Sequence, residues 1–295
     1  MNLAMMDDDY RLKLQAISEI DAFHINHDFY QYARMRVQDF HVASNFGNSS
    51  KMMLLFGESG TGKTTLVKEY AKKFNEQTNH SSPVVLYISV PAKCSPKSLA
   101  ERILLAFGDA AFDKGTLINM TLRVTSYIEK LQVSLIILDE FQHFINKDSK
   151  KVIYEVADWL KSVSNEIKCP ILAVGLPETC RVIDENEQLE RRVTGRVSLP
   201  TFPIGNHHEF DVFRRIIAYF ADQLPFTGVE YLISDDIVRD IHQNTHGIIG
   251  RVSRLFYLSG MLALQSGDEE FQHKYLSAAI AELKKENEKR TIISI

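Results

Sequence analysis

One segment combines glycines, a lysine and a threonine at the spacing that phosphate binding requires. It follows the apolar run Met52–Phe56 and fits the pattern G-x-x-x-x-G-K-[ST]. Its glycines let the backbone turn so that successive N–H groups face phosphate oxygens. Lys63 supplies positive charge to the β- and γ-phosphates, and Thr64 offers a hydroxyl to Mg²⁺. The predicted nucleoside triphosphate site consists of Gly57, Glu58, Ser59, Gly60, Thr61, Gly62, Lys63, Thr64 and Thr65.

Two carboxylates follow a second apolar run. The run 134–138 is typical of a buried strand, and it ends in Asp139 and Glu140. Ligands of open α/β sheets bind at the carboxyl ends of strands, so both acids should emerge beside Lys63. Asp139 is predicted to hold Mg²⁺ through its water shell, and Glu140 to orient the attacking water. The simpler alternative is a pair of acids that ends a strand in solvent.

The carboxylate pair separates two classes of reaction. A small-molecule kinase must exclude water and place an acceptor, whereas a carboxylate beside the magnesium aspartate suits water activation. The pair therefore favours hydrolysis over phosphoryl transfer to a substrate. The chain has no guanine-reading N-K-x-D motif, which favours ATP over GTP.

Three arginines are candidates for stabilising charge on the γ-phosphate. Arg191 and Arg192 follow an acidic stretch, residues 184–190, and one of them could reach the nucleotide of a neighbouring subunit. Ordinary salt bridges to Glu187 or Glu190 are the alternative. Arg251 lies at a predicted turn-to-helix boundary and could reach back to the γ-phosphate, with Arg254 as its rival one turn on.

The order of predicted elements indicates an α/β domain followed by helices. Apolar runs predict strands at 52–56, 84–90, 134–138, 171–174 and 196–199. They alternate with predicted helices at 63–77, 96–107, 116–131 and 150–167, the pattern of a parallel sheet with helices on its faces. After Pro203 only helices are predicted, at 207–222, 234–244, 249–265 and 269–289. The predicted divisions are a mainly helical segment 1–50, an α/β domain 51–204 and a helical domain 205–295.

Composition narrows the functional class. The 295 residues are 45% hydrophobic, enough for a core, and the net charge of −4 excludes a protein coated in positive charge. Nucleic-acid binding through a local basic strip remains open, because it depends on local lysines and arginines. No apolar stretch approaches the ~20 residues of a membrane span. Asp7, Asp8 and Asp9 argue against a secretion signal, so we expect a cytoplasmic protein without a membrane partner.

These parts, in this order, resemble the AAA+ ATPase family over about residues 50–265. The motif Leu138-Asp139-Glu140-Phe141-Gln142-His143 is more specific. Together with the loop 57–64 and Val174-Gly175-Leu176-Pro177, it resembles the TniB/TnsC type of transposition regulator. The resemblance implies a P-loop AAA+ sheet with a helical lid, and an ATPase that uses ATP and Mg²⁺. By this resemblance, Asp139 is the magnesium-binding aspartate and Glu140 is the catalytic glutamate. Arg191 or Arg192 is the arginine finger, and Arg251 is the arginine of the lid.

The resemblance also implies partners. They are double-stranded DNA read with little sequence preference, further copies of the chain in an oligomer or filament, a DDE transposase and a target selector of TniQ type. In a bacterium such a protein would be nucleoid-associated when bound to DNA. The candidate DNA contacts are lysines predicted to follow the second and third strands, for which solvated loop lysines are the alternative. They are Lys93, Lys97, Lys147, Lys150 and Lys151.

One departure from the AAA+ pattern concerns the fourth predicted strand. Family members usually carry a polar residue near its tip, where it helps to hold the water. Here the strand ends in Gly175, Leu176 and Pro177, and Glu178 and Thr179 come later. We therefore expect slow hydrolysis or a partner that completes the site. The competing functions are a replication or repair loader or initiator and a nucleotide-switched scaffold with negligible turnover.

Overall fold

The structure is a computed structural model that describes residues 7–21, 27–46, 51–78, 84–92, 94–144, 150–167, 169–184 and 187–293. The chain divides into two compact units. One comprises Met1–Asn26 with Thr201–Ile295, and the other comprises His27–Pro200.

The unit His27–Pro200 is built on a five-stranded sheet. Its strands are β1 (Met52–Phe56), β2 (Val85–Ser89), β3 (Leu135–Asp139), β4 (Ile171–Gly175) and β5 (Val193–Ser198). All pairs are parallel, in the order β2-β3-β4-β1-β5, which confirms the predicted fold class. β5 begins earlier than the predicted 196–199, because this edge strand alternates exposed and covered residues and contains no continuous apolar run.

Helices cover both faces of this sheet. The helices are α2 (Asp28–Asn45), α3 (Lys63–Gln77), α4 (Pro96–Ala106), α5 (Leu117–Lys130), α6 (Lys150–Ile167), α7 (Glu178–Asp184) and α8 (Glu187–Glu190). One core packs α2 and α3 against the sheet, and a second packs α4, α5 and α6 against its other face. Apolar side chains on both faces explain why the central strands are continuous apolar runs. Trp159 is buried in the second core, and its Nε1 donates to Thr121 Oγ1 at 2.8 Å.

The N-terminal 50 residues belong to two different units. In the helical unit, α1 (Asp8–Asp21) buries Ile17 and Ile20. Ser253 Oγ donates to the Ile20 carbonyl at 2.8 Å, and the missing side chain of Gly260 leaves room for Ile17. The helix α2 instead packs on the sheet. This arrangement differs from the predicted 1–50 segment, because the apolar residues of the two helices are buried in separate cores.

The remainder of the helical unit consists of four helices after Pro200. They are α9 (His207–Asp222), α10 (Asp235–Thr245), α11 (Ile249–Ser266) and α12 (His273–Ile293). Their core is rich in aromatic rings, and Phe220 stacks on Phe256 with ring centroids 5.5 Å apart. Among the described residues no single helix is long and apolar enough to cross a membrane. The consecutive pair α10 and α11 passes that test together, but it is bent by 114°.

A buried histidine makes the α/β unit sensitive to acid. His41 is 1% exposed and hydrogen-bonds to the Tyr70 hydroxyl at 2.7 Å and to Ser134 Oγ at 2.8 Å. Burial lowers the pKa of His41 from 6.5 to about 4. As pH falls below 6.5, the unfolded chain therefore binds the proton while the folded chain does not. Stability is lost progressively from pH 6.5 towards pH 4.

We expect the free energy of unfolding to fall by about 2 kcal/mol between about pH 7 and pH 5 through this histidine. Urea titrations of the wild type and of His41→Gln at both pH values test this. The variant should be less stable at neutral pH but should lose about 2 kcal/mol less on acidification. An equal loss in both proteins would assign the acid sensitivity to other groups.

Candidate nucleotide-binding site

The phosphate loop runs from the end of β1 to the start of α3. A Cβ atom on Gly57 would lie 2.2 Å from the Leu199 carbonyl oxygen, so only glycine fits there. Gly60 and Gly62 have φ values of 85° and 95°, the left-handed region that glycine adopts without strain. Gly62 caps α3 without a side-chain hydrogen bond. The first N–H groups of α3 thus remain available to an anion at the positive end of the helix dipole.

Lys63 lies at the centre of this loop and is 8% exposed. Its Nζ donates to the carbonyl oxygens of Gly57 at 2.7 Å and of Glu58 at 2.8 Å. Burial lowers the pKa of Lys63, and the nearby carboxylates of Glu140, Asp139 and Glu58 act in the opposite direction. The ammonium group therefore shapes the loop around the predicted position of the β- and γ-phosphates.

Asp139 ends β3 beside α3 and is 2% exposed. Its Oδ2 accepts hydrogen bonds from Thr64 Oγ1 and from the Tyr87 hydroxyl, both at 2.8 Å. Burial and the hydrogen bond to Asp139 raise the pKa of Tyr87, so its hydroxyl is a donor here. A carboxylate beside a threonine hydroxyl fits Mg²⁺, which needs only one or two protein oxygens in addition to phosphates and water.

Glu140 has a backbone conformation that is rare for a residue with a side chain. Its φ is 59°, in the left-handed region, and its N–H donates to Asp139 Oδ1 at 2.9 Å. The 3₁₀ turn that follows buries the rings of Phe141 and Phe144, whose centroids lie 4.9 Å apart. The carboxylate of Glu140 accepts a hydrogen bond from Gln142 Nε2. Glu140 is therefore oriented by neighbouring residues rather than free in solvent.

The tip of β4 carries no polar side chain of its own, as the sequence indicates. The Gln142 side chain lies there instead, and its Oε1 accepts from the Leu176 N–H at 3.2 Å. Thr179 lies on α7, is fully buried, and its hydroxyl has no hydrogen-bond partner among the described residues. A Cβ on Gly175 would lie 2.3 Å from Thr179 Oγ1 and 2.8 Å from Gln142 Oε1. Both polar side chains thus crowd the end of β4.

Comparison with known proteins identifies the family. A family model described as "Bacterial TniB protein" matches residues 24–202, more than half of the chain. The chain belongs to the TniB family. The matched region contains the phosphate loop, Asp139, Glu140 and both arginines before β5, so the whole described nucleotide site lies within the TniB match. The AAA+ ATPase fold predicted from the sequence is confirmed.

ORC1-type DNA replication proteins are similar to this TniB-family chain over most of its length. It is 23% identical over 250 residues to "ORC1-type DNA replication protein 1" of Sulfurisphaera tokodaii, covering 81% of this chain and 59% of that protein. Identity to the "ORC1-type DNA replication protein" of Desulfurococcus amylolyticus is 20% over 269 residues, covering 88% and 65%. The TniB-family chain thus matches less than two thirds of the length of these relatives.

Solved structures show the same fold. The Aeropyrum pernix ORC2 protein, solved as ADPNP–ADP complexes, superposes with a TM-score of 0.65 at 16% identity, covering 88% of this chain and 68% of that one. The Aeropyrum pernix ORC1 protein in complex with DNA superposes with a TM-score of 0.63 at 15% identity, covering 90% and 68%. At such identities the likeness establishes the fold alone.

Arg191 and Arg192 lie at the edge of the sheet opposite the phosphate loop. They directly precede β5, and the Met52 N–H at the start of β1 donates to the Arg192 carbonyl at 2.9 Å. The loop follows the other end of β1, about 16 Å away for a strand of five residues. Arg191 is exposed and pairs with Glu187 at 3.5 Å, so the local salt bridge considered as an alternative is present. Surface pairs of this kind contribute little to stability.

The two candidate arginines of the helical unit differ in their surroundings. Arg254 donates to Glu286 Oε1 at 3.0 Å and lies over the Tyr257 ring, with 5.3 Å between Cζ and the centroid. Arg251 lies in the first turn of α11 and has no side-chain hydrogen bond or ion pair among the described residues. Arg254 is thus held by local contacts, and Arg251 remains the predicted lid arginine.

The candidate DNA lysines are only partly described. Lys97 is exposed in the first turn of α4 and lies 4.0 Å from Glu101. Lys150 and Lys151 begin α6, but their side chains, like the whole of Lys93 and Lys147, lie outside the described residues. The helices α4 and α6 follow β2 and β3, whose carboxyl ends are neighbours in the sheet. The DNA contacts therefore remain predictions.

Two residues of the site have roles that sequence reasoning did not predict. Tyr87 reaches Asp139 from the neighbouring strand β2, and Gln142 joins Glu140 to the tip of β4. A tyrosine in the apolar run of β2 is a weak signal, because tyrosine is common in strands. A glutamine between the buried Phe141 and Phe144 is a stronger one, since the flanking rings fix the direction of its backbone.

Proposed function

We propose that the protein is an ATP-dependent AAA+ regulator of DNA transposition. It assembles on target DNA in its ATP-bound state, and hydrolysis of ATP controls its release. The observation that carries the proposal is the joint position of Lys63, Thr64, Asp139 and Glu140 at the carboxyl edge of the sheet of a TniB-family chain. These residues supply the charge, the metal oxygens and the carboxylate that triphosphate hydrolysis needs.

The residues divide the chemistry between them. The loop N–H groups and Lys63 bind the β- and γ-phosphates, and Thr64 and Asp139 would hold Mg²⁺. Held there, Mg²⁺ would neutralise charge that develops on the phosphate oxygens. Glu140 orients the attacking water and accepts its proton as the oxygen of the water bonds to the γ-phosphorus. The bond from the γ-phosphorus to the bridging oxygen breaks, and ADP and inorganic phosphate leave. Tyr87 keeps the Asp139 carboxylate turned towards Thr64 through its 2.8 Å hydrogen bond.

Hydrolysis requires a second copy of the chain. Arg191 and Arg192 lie about 16 Å from the phosphate loop of their own chain, at the other end of β1. A neighbouring subunit in a ring or filament can present one of them to the γ-phosphate, and Arg251 is the candidate lid arginine. Head-to-tail contacts of this type produce rings when they close and filaments when they do not.

The proposed partners follow from the family. The assembly binds double-stranded DNA through phosphate contacts with little sequence preference, recruits a DDE transposase and responds to a target selector of TniQ type. Its proposed location is the bacterial cytoplasm, on the nucleoid when bound to DNA. The similarity to the Aeropyrum pernix ORC1 protein solved in complex with DNA supports the DNA-binding part of this proposal.

Negative-stain imaging tests assembly directly. With a non-hydrolysable ATP analogue and duplex DNA we expect rings or filaments, whereas either ligand alone should leave small species. Because phosphate contacts release counterions, DNA affinity should fall at least about tenfold between about 50 mM and 200 mM salt. A protein that stays monomeric under every condition would rule out the proposed action of Arg191 or Arg192 on the nucleotide of a neighbouring subunit.

A replication loader or initiator is the second candidate, favoured by the similarity to ORC1-type proteins over 81% and 88% of the chain. Both functions use the same nucleotide chemistry, so the site does not separate them. The neighbouring genes can separate them. An integrase-like transposase gene next to this gene would support transposition, and helicase or replication genes would support the loader or initiator. Stimulation of a purified transposase by the ATP-bound protein is the biochemical counterpart of that test.

A further inference from the structure

The Gln142 side chain bridges two parts of the site that are far apart in sequence. Its Nε2 donates to Glu140 Oε2, and its Oε1 accepts from the Leu176 N–H at 3.2 Å. A carboxylate only accepts and a backbone N–H only donates, so a single orientation of the amide satisfies both partners. The bridge therefore fixes the amide group and, through it, one oxygen of the Glu140 carboxylate.

The end of β4 is shaped around this amide. Gly175 has no side chain, and a Cβ there would lie 2.8 Å from Gln142 Oε1 and 2.3 Å from Thr179 Oγ1. Both distances are well below a van der Waals contact, so any larger residue displaces both side chains. The buried Thr179 hydroxyl, on the same side of Gly175, has no hydrogen-bond partner among the described residues.

We propose that Gln142 is the positioning residue of Glu140 and replaces the polar residue that the tip of β4 lacks. The proposal rests on the hydrolytic function proposed above. Anchored on Leu176, Gln142 holds the Glu140 carboxylate in the orientation that aligns the attacking water. Gly175 is required because it leaves the space in which the amide lies. On this account, the α/β unit positions Glu140 without a polar side chain on β4, and the site still needs the arginine of a neighbouring subunit.

ATP turnover and nucleotide affinity, measured on the full chain with duplex DNA, test the proposal. Gln142→Leu keeps the size of the side chain but cannot donate or accept, and Gly175→Ala should displace the amide while leaving its chemistry intact. We expect both variants to lower kcat about 10- to 100-fold, because misplacement of a catalytic group by about 1 Å has effects of this size. The Kd for a fluorescent ATP analogue should change less than about threefold. The Gln142 side chain bonds to Glu140 and Leu176. The bond from the Gly57 N–H to the Gly175 carbonyl is a backbone contact that both variants keep.

A double variant separates positioning from general structural damage. Because Gln142 acts only through Glu140, Gln142→Leu combined with Glu140→Ala should be no slower than Glu140→Ala alone. Gln38→Leu, at an exposed position of α2, is the matched control and should turn over like the wild type. Thermal unfolding of each variant checks that the fold persists.

The outcomes distinguish this inference from the function on which it rests. If the wild type hydrolyses ATP and Gln142→Leu has the same kcat, the proposed role of Gln142 is overturned, whereas the proposed hydrolysis is not. A further decrease in the double variant likewise overturns it, by showing an action that does not pass through Glu140. A wild type without any turnover on DNA overturns both proposals.

Discussion

Replacing Glu140 with glutamine is expected to produce ATP-bound assemblies that form on DNA and do not release. The amide keeps the size of the carboxylate and its hydrogen bond from Gln142, but it cannot accept the proton of the attacking water. Loss of a general base lowers kcat by about 10²- to 10⁴-fold. Nucleotide affinity should stay near that of the wild type, because Lys63, Thr64 and Asp139 are unchanged.

Single-filament lifetimes on DNA after removal of free ATP measure this effect. Wild-type assemblies should dissociate at the rate of hydrolysis, and those of Glu140→Gln should persist. Glu129→Gln is the matched control, since it makes the same chemical change at an exposed position of α5. Equal lifetimes for Glu140→Gln and the wild type would contradict hydrolysis-controlled release. They would favour a scaffold whose nucleotide is only a structural switch.

The second large effect is expected at Lys63. Its ammonium group is buried, donates to the Gly57 and Glu58 carbonyls, and is the cation of the phosphate loop. Lys63→Ala removes the charge that pairs with the β- and γ-phosphates and the two bonds that shape the loop. Charge-assisted hydrogen bonds contribute about 1.5–3 kcal/mol each, so we expect ATP affinity to fall by about 10²-fold or more. Assembly on DNA should be lost together with turnover.

Equilibrium binding of a fluorescent ATP analogue, followed by imaging with DNA, checks both parts. Lys72→Ala is the control, because that lysine lies on α3 as well but is 75% exposed and pairs weakly with Glu76 at 3.9 Å. It should bind ATP and assemble normally. If Lys63→Ala still formed DNA assemblies of wild-type size, assembly would not depend on the triphosphate.

Local pattern was enough to predict the core of the site. The loop 57–64 has a fixed spacing, because the turn that its glycines allow, Lys63 and Thr64 lie within a few consecutive residues. The apolar runs of β1, β3 and β4 are long enough to be recognised, since these strands are buried on both faces. From the parallel order of strands it followed that Asp139 and Glu140 emerge beside that loop.

Other features depend on which elements become neighbours. The sequence alone did not divide residues 1–50, because α1 is assigned to the helical unit by contacts with residues more than 200 positions away, such as Ser253 with Ile20, whereas α2 packs on the sheet. β5 begins at Val193 because it pairs with β1 at the edge of the sheet, where half of its residues are exposed and no apolar run marks it.

By itself, the sequence predicted the type of chemistry: a phosphate loop and two carboxylates, one for magnesium and one for catalysis, on an AAA+ sheet. Only the tertiary structure decided how the carboxylates are held. Tyr87 reaches Asp139 across strands 52 positions apart, and Gln142 meets Leu176 across 34 positions. Such contacts have no fixed spacing in the sequence. They form when neighbouring strands pair, and Gly175 at the end of β4 leaves space for the side chain of Gln142, which follows the neighbouring strand β3.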